Sequence, residues 1–155
     1  MVSVGEMAPD FTLTAQDKSK VTLSELRGER VILAFYPAAF TGVCTTEMCT
    51  FSEGMASLGD SGVKAFGISV DAPFSNGAFA EKNGISFPLL SDVHRDAVNA
   101  YGVALGDFVI PGYTVAQRSV FVVEADGTIG YAWVAENPGI QPDYNEIMDF
   151  VTSLE

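Results

Sequence analysis

The chain contains two cysteines, and both lie in one short segment, FYPAAFTGVCTTEMCTF, at residues 35–51. Cys44 and Cys49 are five residues apart, which matches neither the C-x-x-C spacing of disulfide oxidoreductases nor the ligand spacing of a zinc site. The single histidine, His94, lies 45 residues beyond Cys49, so a zinc site is disfavoured. Two cysteines also do not make a disulfide-dense secreted scaffold. The segment therefore predicts redox chemistry at a thiol.

Cys44 is the cysteine that the surrounding sequence equips for reaction. We expect it in the first turn of a helix that starts near Gly42 and runs to about Leu58. Unpaired backbone N–H groups and the positive end of the helix dipole favour a thiolate there. Pro37 ends the preceding strand and can shield the sulfur, while Thr41 brings a hydroxyl close to the Cys44 backbone N–H. These groups predict a small polar pocket around a reactive sulfur.

A peroxide is the substrate that suits such a pocket. A thiolate attacks one oxygen of the O–O bond, and the other oxygen leaves with developing negative charge, which aimed donors stabilise. A nearby cation would hold the thiolate and stabilise the leaving group. Arg118 opens the apolar segment RSVFVV, which can pack beside the strand that leads to Cys44, and is the candidate cation.

The elements that must position these residues alternate between strand and helix. Residues 30–37 and 63–71 are nearly continuous apolar runs, as buried parallel strands should be. Residues 119–124 and 129–134 flank the turn sequence ADGT and predict a hairpin, with Gly127 available for positive φ.

Further helices are predicted over 74–83, over 93–101 and after Pro142, and a small hairpin is predicted over 11–23. This order predicts an α/β fold, a thioredoxin-like domain with a mixed central sheet, helices on both faces and an N-terminal hairpin extension. At 155 residues, the chain is expected to form a single domain over residues 1–155.

The segment PAAFTGVC, residues 37–44, matches the P-x-x-x-T-x-x-C motif of peroxiredoxins, which the chain resembles from about Ala8 to its last helix. The segments APDFTL, LRGERVILAFYP and RSVFVVEADGTI resemble peroxiredoxin segments in the same order. CTTE resembles the Q-type, or bacterioferritin-comigratory, subgroup. AAFTG resembles the one-cysteine E-type alkyl hydroperoxide reductases, so both subgroups stay open.

The resemblance implies a role for each residue of the pocket. Cys44 resembles the peroxidatic cysteine, and Pro37, Thr41 and Arg118 resemble the residues that complete the peroxide pocket. Glu47 occupies a position that orients the arginine in the family. The implied activity is a thiol peroxidase that reduces hydrogen peroxide and organic hydroperoxides, needs no metal or organic cofactor, and is recycled by a thioredoxin-like reductant.

Cys49 matches the resolving cysteine of many Q-type peroxiredoxins, which attacks the sulfenic acid to form a disulfide. On a regular helix, the Cα atoms of Cys44 and Cys49 would be about 8.5 to 9 Å apart. A disulfide needs Cα atoms within about 7 Å, so the first turns must unwind before the bond forms. The alternatives are a one-cysteine enzyme resolved by an external thiol, with Cys49 a core residue, and a redox sensor that does not turn over.

Charge excludes several classes of partner. The formal net charge is −12, with 20 acidic residues against 8 basic ones, so binding to nucleic acid or to an anionic membrane is disfavoured. The excess of acidic residues indicates either a surface that keeps the protein soluble or adaptation to a salt-rich cytoplasm. No apolar run spans a membrane and no secretory signal is evident, so the expected location is the cytoplasm.

Aromatic side chains are expected around the pocket. They can form an apolar lip for organic hydroperoxides or the contact face of a homodimer, which we expect. The residues are Phe40, Phe74, Phe79, Phe108 and Tyr113.

Overall fold

A computed structural model describes residues 2–58, 63–137 and 139–152, without the side chains of residues 43, 44 and 55–58. The strands are β1 (Thr12–Ala15), β2 (Lys20–Thr22), β3 (Arg30–Phe35), β4 (Val63–Ser69), β5 (Leu89–Ser91), β6 (Ala104–Leu105), β7 (Val115–Ala116), β8 (Ser119–Val123) and β9 (Ile129–Val134). The helices are α1 (Gly42–Leu58), α2 (Pro73–Asn83), α3 (Asp96–Ala100) and α4 (Tyr144–Thr152), with a 3-10 turn at Leu23–Leu26.

Seven of these strands form one sheet in the order β2-β1-β5-β4-β3-β8-β9. β3, β4 and β5 run parallel, whereas β8 and β9 pair antiparallel at one side and β1 and β2 at the other. β6 and β7 form a separate small ribbon. The expected mixed α/β sheet of the thioredoxin-like fold is therefore confirmed.

Apolar side chains cover both faces of this sheet. Along β3, Val31, Leu33 and Phe35 point into a cluster that includes α3, while Ile32 and Ala34 point into a second cluster that includes α1, α2 and α4. Successive strand residues face opposite sides, so a strand buried on both faces must be apolar throughout. This explains why the sequence of β3 is a continuous apolar run.

Several observed bounds differ from the predicted ones. β3 ends at Phe35 rather than residue 37, and the helix predicted over 93–101 covers only Asp96–Ala100. That helix starts late because Arg95, just before it, has the left-handed φ of 63°. The three-residue strand β5 escaped prediction because so short a run carries no periodicity. The predicted hairpin at ADGT is confirmed, with Gly127 at φ 94°.

One edge of the sheet gathers the residues of interest. β3, β4 and β5 all end at this edge, and β8 begins there, with Phe35 paired to Ser119 on one side and to Ile68 on the other. The predicted packing of the Arg118 strand beside β3 is confirmed by this register. Loops that leave the carboxyl ends of parallel strands are where α/β proteins build sites. No helix of the described residues has both the length and the apolar character needed to cross a membrane.

Candidate active site

The connection from β3 to α1 is a tight loop over residues 36–41. The Tyr36 N–H donates to the Ile68 carbonyl oxygen at 2.9 Å, so β3 contacts β4 beyond its last strand residue. Pro37 is buried. Phe40 has φ 68°, a left-handed conformation that is costly for a residue with a side chain. The chain therefore needs firm anchors to hold this loop before α1 begins at Gly42.

The Thr41 hydroxyl has a defined hydrogen bond. It donates to the Ala38 carbonyl oxygen at 2.9 Å, and the Thr41 carbonyl accepts from the Thr45 N–H at 2.9 Å to open α1. A hydroxyl has one proton and two lone pairs. With its proton engaged by Ala38, Thr41 can meet a further group only as an acceptor.

Cys44 lies in the first turn of α1, as predicted from the sequence. Its side chain lies outside the described residues, so the prediction for its sulfur stays a prediction. Backbone N–H groups in the first turn of a helix have no partner within the helix. The backbone of Cys44 therefore lies where the helix dipole favours negative charge.

Arg118 contacts Glu47, which lies about one helical turn after Cys44 on α1. Its Nη1 donates to Glu47 Oε1 at 2.6 Å, and both side chains are almost fully buried. Glu47 lies three residues after Cys44 on α1, while Arg118 immediately precedes β8. The helix that begins around Cys44 is thus joined by a buried ion pair to the sheet edge.

This ion pair is electrostatically unusual. Burial is the largest influence and raises the pKa of the Glu47 carboxyl, Arg118 opposes that rise, and the net pKa is about 7. Glu47 Oε2 is buried without a hydrogen-bond partner among the described residues. A buried polar atom left without a partner is costly, so this arrangement is not the one that stability alone would select.

Cys49, further along α1, faces the C-terminal end of α2. It is a free thiol, partly buried, and its Sγ donates to the Asn83 carbonyl oxygen at 3.8 Å, at the C-terminal end of α2. Between the two cysteines lie Glu47 and Met48, both fully buried. Any approach of Cys49 to Cys44 must therefore displace buried side chains.

A buried polar network behind the loop was not anticipated from the sequence. Asp71 Oδ2 accepts hydrogen bonds from the Ala39 N–H at 2.8 Å and from the Ser69 hydroxyl at 2.9 Å. Asn76, fully buried near the start of α2, accepts from the Tyr36 hydroxyl at 2.6 Å. The only available signal was position, because Asp71 follows β4 at the edge where β3 also ends.

The aromatic residues expected around the pocket divide into two groups. Phe40 and Phe74 are exposed, by 51% and 74%, whereas Phe79 is fully buried and packs against Phe40 with ring centroids 5.3 Å apart. The expectation that Phe79 contributes to an open lip is wrong, because α2 turns this residue into the core. Phe108 and Tyr113 are partly buried, with ring centroids 6.2 Å apart.

Metal ligation finds no support in the described residues. Across 2–58, 63–137 and 139–152, no group of three or more His, Cys, Asp and Glu side chains is arranged to hold a metal ion. What the described groups can do is hold a buried cation and a fixed hydroxyl beside the first turn of α1.

The sequence is similar to known proteins along most of its length. The model of the AhpC/TSA family matches residues 4–132. The chain is 42% identical over 127 residues to a putative peroxiredoxin of Mycobacterium tuberculosis, covering 81% of this chain and 80% of that protein. It is 36% identical over 133 residues to peroxiredoxin Bcp of Escherichia coli, covering 85% of each.

The fold is also similar to solved structures. A peroxiredoxin-like protein from Aquifex aeolicus superposes with a TM-score of 0.87 at 27% identity, over 97% of this chain and 86% of that one. Peroxidoxin BcpB from Mycobacterium tuberculosis superposes with a TM-score of 0.84 at 28% identity, over 97% and 96%. The chain therefore belongs to the AhpC/TSA family and is a peroxiredoxin, a thiol-dependent peroxidase.

Proposed function

We propose that Cys44 is the peroxidatic residue and that it reduces hydrogen peroxide and small organic hydroperoxides. Its thiolate attacks one peroxide oxygen, the O–O bond breaks, and the sulfur is oxidised to a sulfenic acid. The other oxygen takes up a proton and leaves as water or an alcohol. The observation that carries the proposal is the buried Arg118–Glu47 pair, in which Glu47 lies three residues after Cys44 on α1.

Arg118 supplies the positive charge in this proposal. An arginine that is 2% exposed acts in a medium of low dielectric, where its field on a thiolate and on a departing oxygen is much stronger than in water. Glu47 holds the guanidinium through the 2.6 Å hydrogen bond. A cation fixed in this way needs little reorganisation when negative charge moves from sulfur to oxygen.

Thr41 and Pro37 complete the proposed pocket. Because the Thr41 hydroxyl donates to Ala38, its oxygen is left to accept the O–H of the peroxide. Pro37 is buried and has no N–H, so it closes one side of the loop without adding a competing donor.

We further propose that Cys49 resolves the sulfenic acid. Its thiol would attack the Cys44 sulfur, releasing water and forming a disulfide, and a thioredoxin-like dithiol would then reduce that disulfide by exchange. The bond requires α1 to unwind, because Cys49 Sγ lies against the Asn83 carbonyl and Met48 is buried. The buried Glu47 carboxyl, with one oxygen that has no partner among the described residues, lowers the cost of that unwinding.

The test is mass analysis after one equivalent of hydrogen peroxide on the wild type, Cys44→Ser and Cys49→Ser. We expect a Cys44–Cys49 disulfide in the wild type, a trapped sulfenic acid at Cys44 in Cys49→Ser, and no oxidation in Cys44→Ser. A wild-type Cys44 that stays a thiol would refute the peroxidase proposal. A sulfenic acid that persists in the wild type would instead indicate a one-cysteine enzyme resolved by an external thiol.

Repeated turnover separates an enzyme from a sensor. With a thioredoxin system present, an enzyme consumes many equivalents of peroxide, whereas a redox sensor is oxidised once and then needs its partner protein.

A thioredoxin-like reductant implies a reducing compartment. We therefore propose that the protein is located in the cytoplasm, which cell fractionation would test.

A homodimer is the oligomeric state that we propose. Phe40 and Phe74 are exposed apolar side chains on the loop and helix next to the site. Pairing such surfaces would remove apolar area from water. Sedimentation of the wild type and of the double variant Phe40→Ser/Phe74→Ser tests this. A wild type that sediments as a monomer would refute the proposal.

The same double variant tests whether these side chains form a lip for organic hydroperoxides. We then expect a larger loss of rate with cumene hydroperoxide than with hydrogen peroxide.

A further inference from the structure

The peptide group between Ala38 and Ala39 is held at both of its polar ends. Its N–H, on Ala39, donates to Asp71 Oδ2 at 2.8 Å, and its carbonyl, on Ala38, accepts from the Thr41 hydroxyl at 2.9 Å. A peptide group is planar and rigid, so fixing the direction of its N–H also fixes the direction of its carbonyl. Asp71 and the Thr41 hydroxyl are therefore mechanically linked through one peptide plane.

The link is also electronic. A carboxylate that accepts from the N–H of a peptide polarises that peptide and makes its carbonyl a stronger acceptor, as in other hydrogen-bond chains. The hydrogen bond from the Thr41 hydroxyl to the Ala38 carbonyl oxygen is then stronger. The lone pairs of the Thr41 oxygen consequently keep one direction rather than rotating with the hydroxyl.

Asp71 itself is anchored to the sheet. The Ser69 hydroxyl donates to the same Oδ2 at 2.9 Å, and Ser69 is the fully buried last residue of β4. The Asp71 N–H donates back to the Ser69 hydroxyl oxygen at 3.2 Å. The loop that carries Phe40 at φ 68° is thus tied through Asp71 to a rigid strand rather than to another loop.

We propose that Asp71 is a positioning residue for the peroxidase reaction, which orients the Thr41 hydroxyl through the Ala38–Ala39 peptide. The proposal rests on the proposed function of the site, because it matters for rate only if Thr41 meets the peroxide. Asp71 does not touch the reacting atoms. Its effect should pass entirely through Thr41, and that is what makes it testable.

The test is a double-mutant cycle on the rate at which hydrogen peroxide oxidises Cys44, followed by rapid mixing, quenching and mass analysis. Asp71→Ala should lower this rate about tenfold, the size of effect expected when one oriented hydrogen bond is lost. In a Thr41→Val background, which removes the hydroxyl but keeps the shape, Asp71→Ala should change the rate less than about twofold, because the two effects are not additive.

Two further variants separate positioning from folding. Asp71→Asn keeps an oxygen where Oδ2 lies and should restore the rate to within about threefold of the wild type. Asp10→Ala is the matched control, because Asp10 is an exposed carboxylate that accepts from the Ser24 and Phe11 N–H groups at 2.9 Å in the N-terminal region. It should leave the rate unchanged.

Alkylation of Cys44 by iodoacetamide supplies the second readout, because it needs the thiolate but not the peroxide pocket. In Asp71→Ala, this rate should stay within about twofold of the wild type. An equal loss in alkylation and in peroxide reaction would overturn the proposal, and so would an equal effect of Asp71→Ala with and without the Thr41 hydroxyl. A wild type that does not react with peroxide at all would refute the proposed function instead.

Discussion

The antiparallel strands β3 and β8 carry an arginine–carboxylate pair at each end, and the two pairs differ in what surrounds them. At the end away from the site, Arg30 Nε donates to Glu124 Oε1 at 2.7 Å, with the side chains 15% and 27% exposed. At the site end, Arg118 donates to Glu47 at 2.6 Å with both side chains buried. The strands are the same, and so are the charged groups.

The far pair is built for stability. Arg30 Nη1 also donates to the carbonyl oxygens of Phe150 and Val151, at 3.1 and 3.2 Å, and the guanidinium lies 5.3 Å from the Phe150 ring centre. Arg30 thereby joins the last turn of α4 to the sheet and satisfies carbonyls that a helix end leaves unpaired. Its charge is used to hold elements together.

The site pair retains an unfavourable feature. Glu47 has a raised pKa and a buried oxygen, Oε2, that has no hydrogen-bond partner among the described residues. Removing these groups from water costs free energy of folding. The low dielectric of the interior also makes the local electric field strong. The difference shows that the far pair stabilises the fold, and it supports our proposal that the site pair serves the chemistry at some expense of stability.

The largest predicted effect follows from removing each arginine. Arg118→Met should lower the rate of peroxide reaction with Cys44 by about 10² to 10³, the size of effect seen when one charge-stabilising group is removed. Arg30→Met should leave the rate within about threefold and lower the free energy of unfolding by about 1 to 2 kcal/mol. Stopped-flow oxidation and urea unfolding measure the two quantities.

A double variant separates the loss of stability from the loss of rate. Arg118→Met alone leaves a lone buried carboxyl and should cost about 3 to 5 kcal/mol, so it can fail to fold. Adding Glu47→Gln removes the ionisable carboxyl and should return most of that stability, but not the rate. If the rate returned together with the stability, Arg118 would be a structural residue like Arg30.

The second prediction concerns pH. Because burial holds the pKa of Glu47 near 7 in the folded protein, above its ordinary 4.5, the folded state binds this proton more tightly than the unfolded state. The stability from protonated Glu47 is fully present below pH 4.5 and is lost as the pH rises through 7. In Glu47→Gln, which stays neutral, this loss should be absent.

The free energy of unfolding of Glu47→Gln should therefore rise relative to the wild type between pH 4.5 and 7.5, by up to about 3 kcal/mol. Urea unfolding of both proteins at several pH values measures the difference. Curves that stay parallel over this range would show that Glu47 is ionised at low pH in the folded protein. The contrast between the two ends of the strand pair would then lose its electrostatic basis.

How far the sequence predicts this site depends on how local each signal is. The segment at 37–44 carries its own pattern, and Arg118 could be inferred because its strand was expected to pack beside β3. Asp71 could not be inferred, because its bond to Ala39 spans 32 residues and depends on the register of β3 against β4. A single aspartate after a strand has no pattern of its own.

The wrong prediction for Phe79 has a similar cause. Phe79 was expected at the rim of the site, yet it is fully buried against Tyr36 and Phe40. Its position in α2 is close to the exposed Phe74 in sequence, and only the packing of α2 on the sheet distinguishes the two. Fold class followed from the order of elements, whereas the facing of individual helical residues required tertiary structure.

The smallest predicted effect is the response of the two pairs to salt. Glu124→Gln should lower the free energy of unfolding by about 1 kcal/mol at low ionic strength, since the pair is mostly but not fully shielded from water. This difference from the wild type should fall by about half in 1 M KCl, where the Debye length is about 3 Å. For Glu47→Gln, the difference should not change with salt, because no solvent ions reach a buried pair.

Salt also screens the net charge of −12, but that effect is nearly common to the wild type and both variants and cancels in the comparison. Urea unfolding at pH 7.5 in 0.05 M and 1 M KCl measures all three proteins, and equal salt dependence of the two variants would show that water reaches both ends of the strand pair alike.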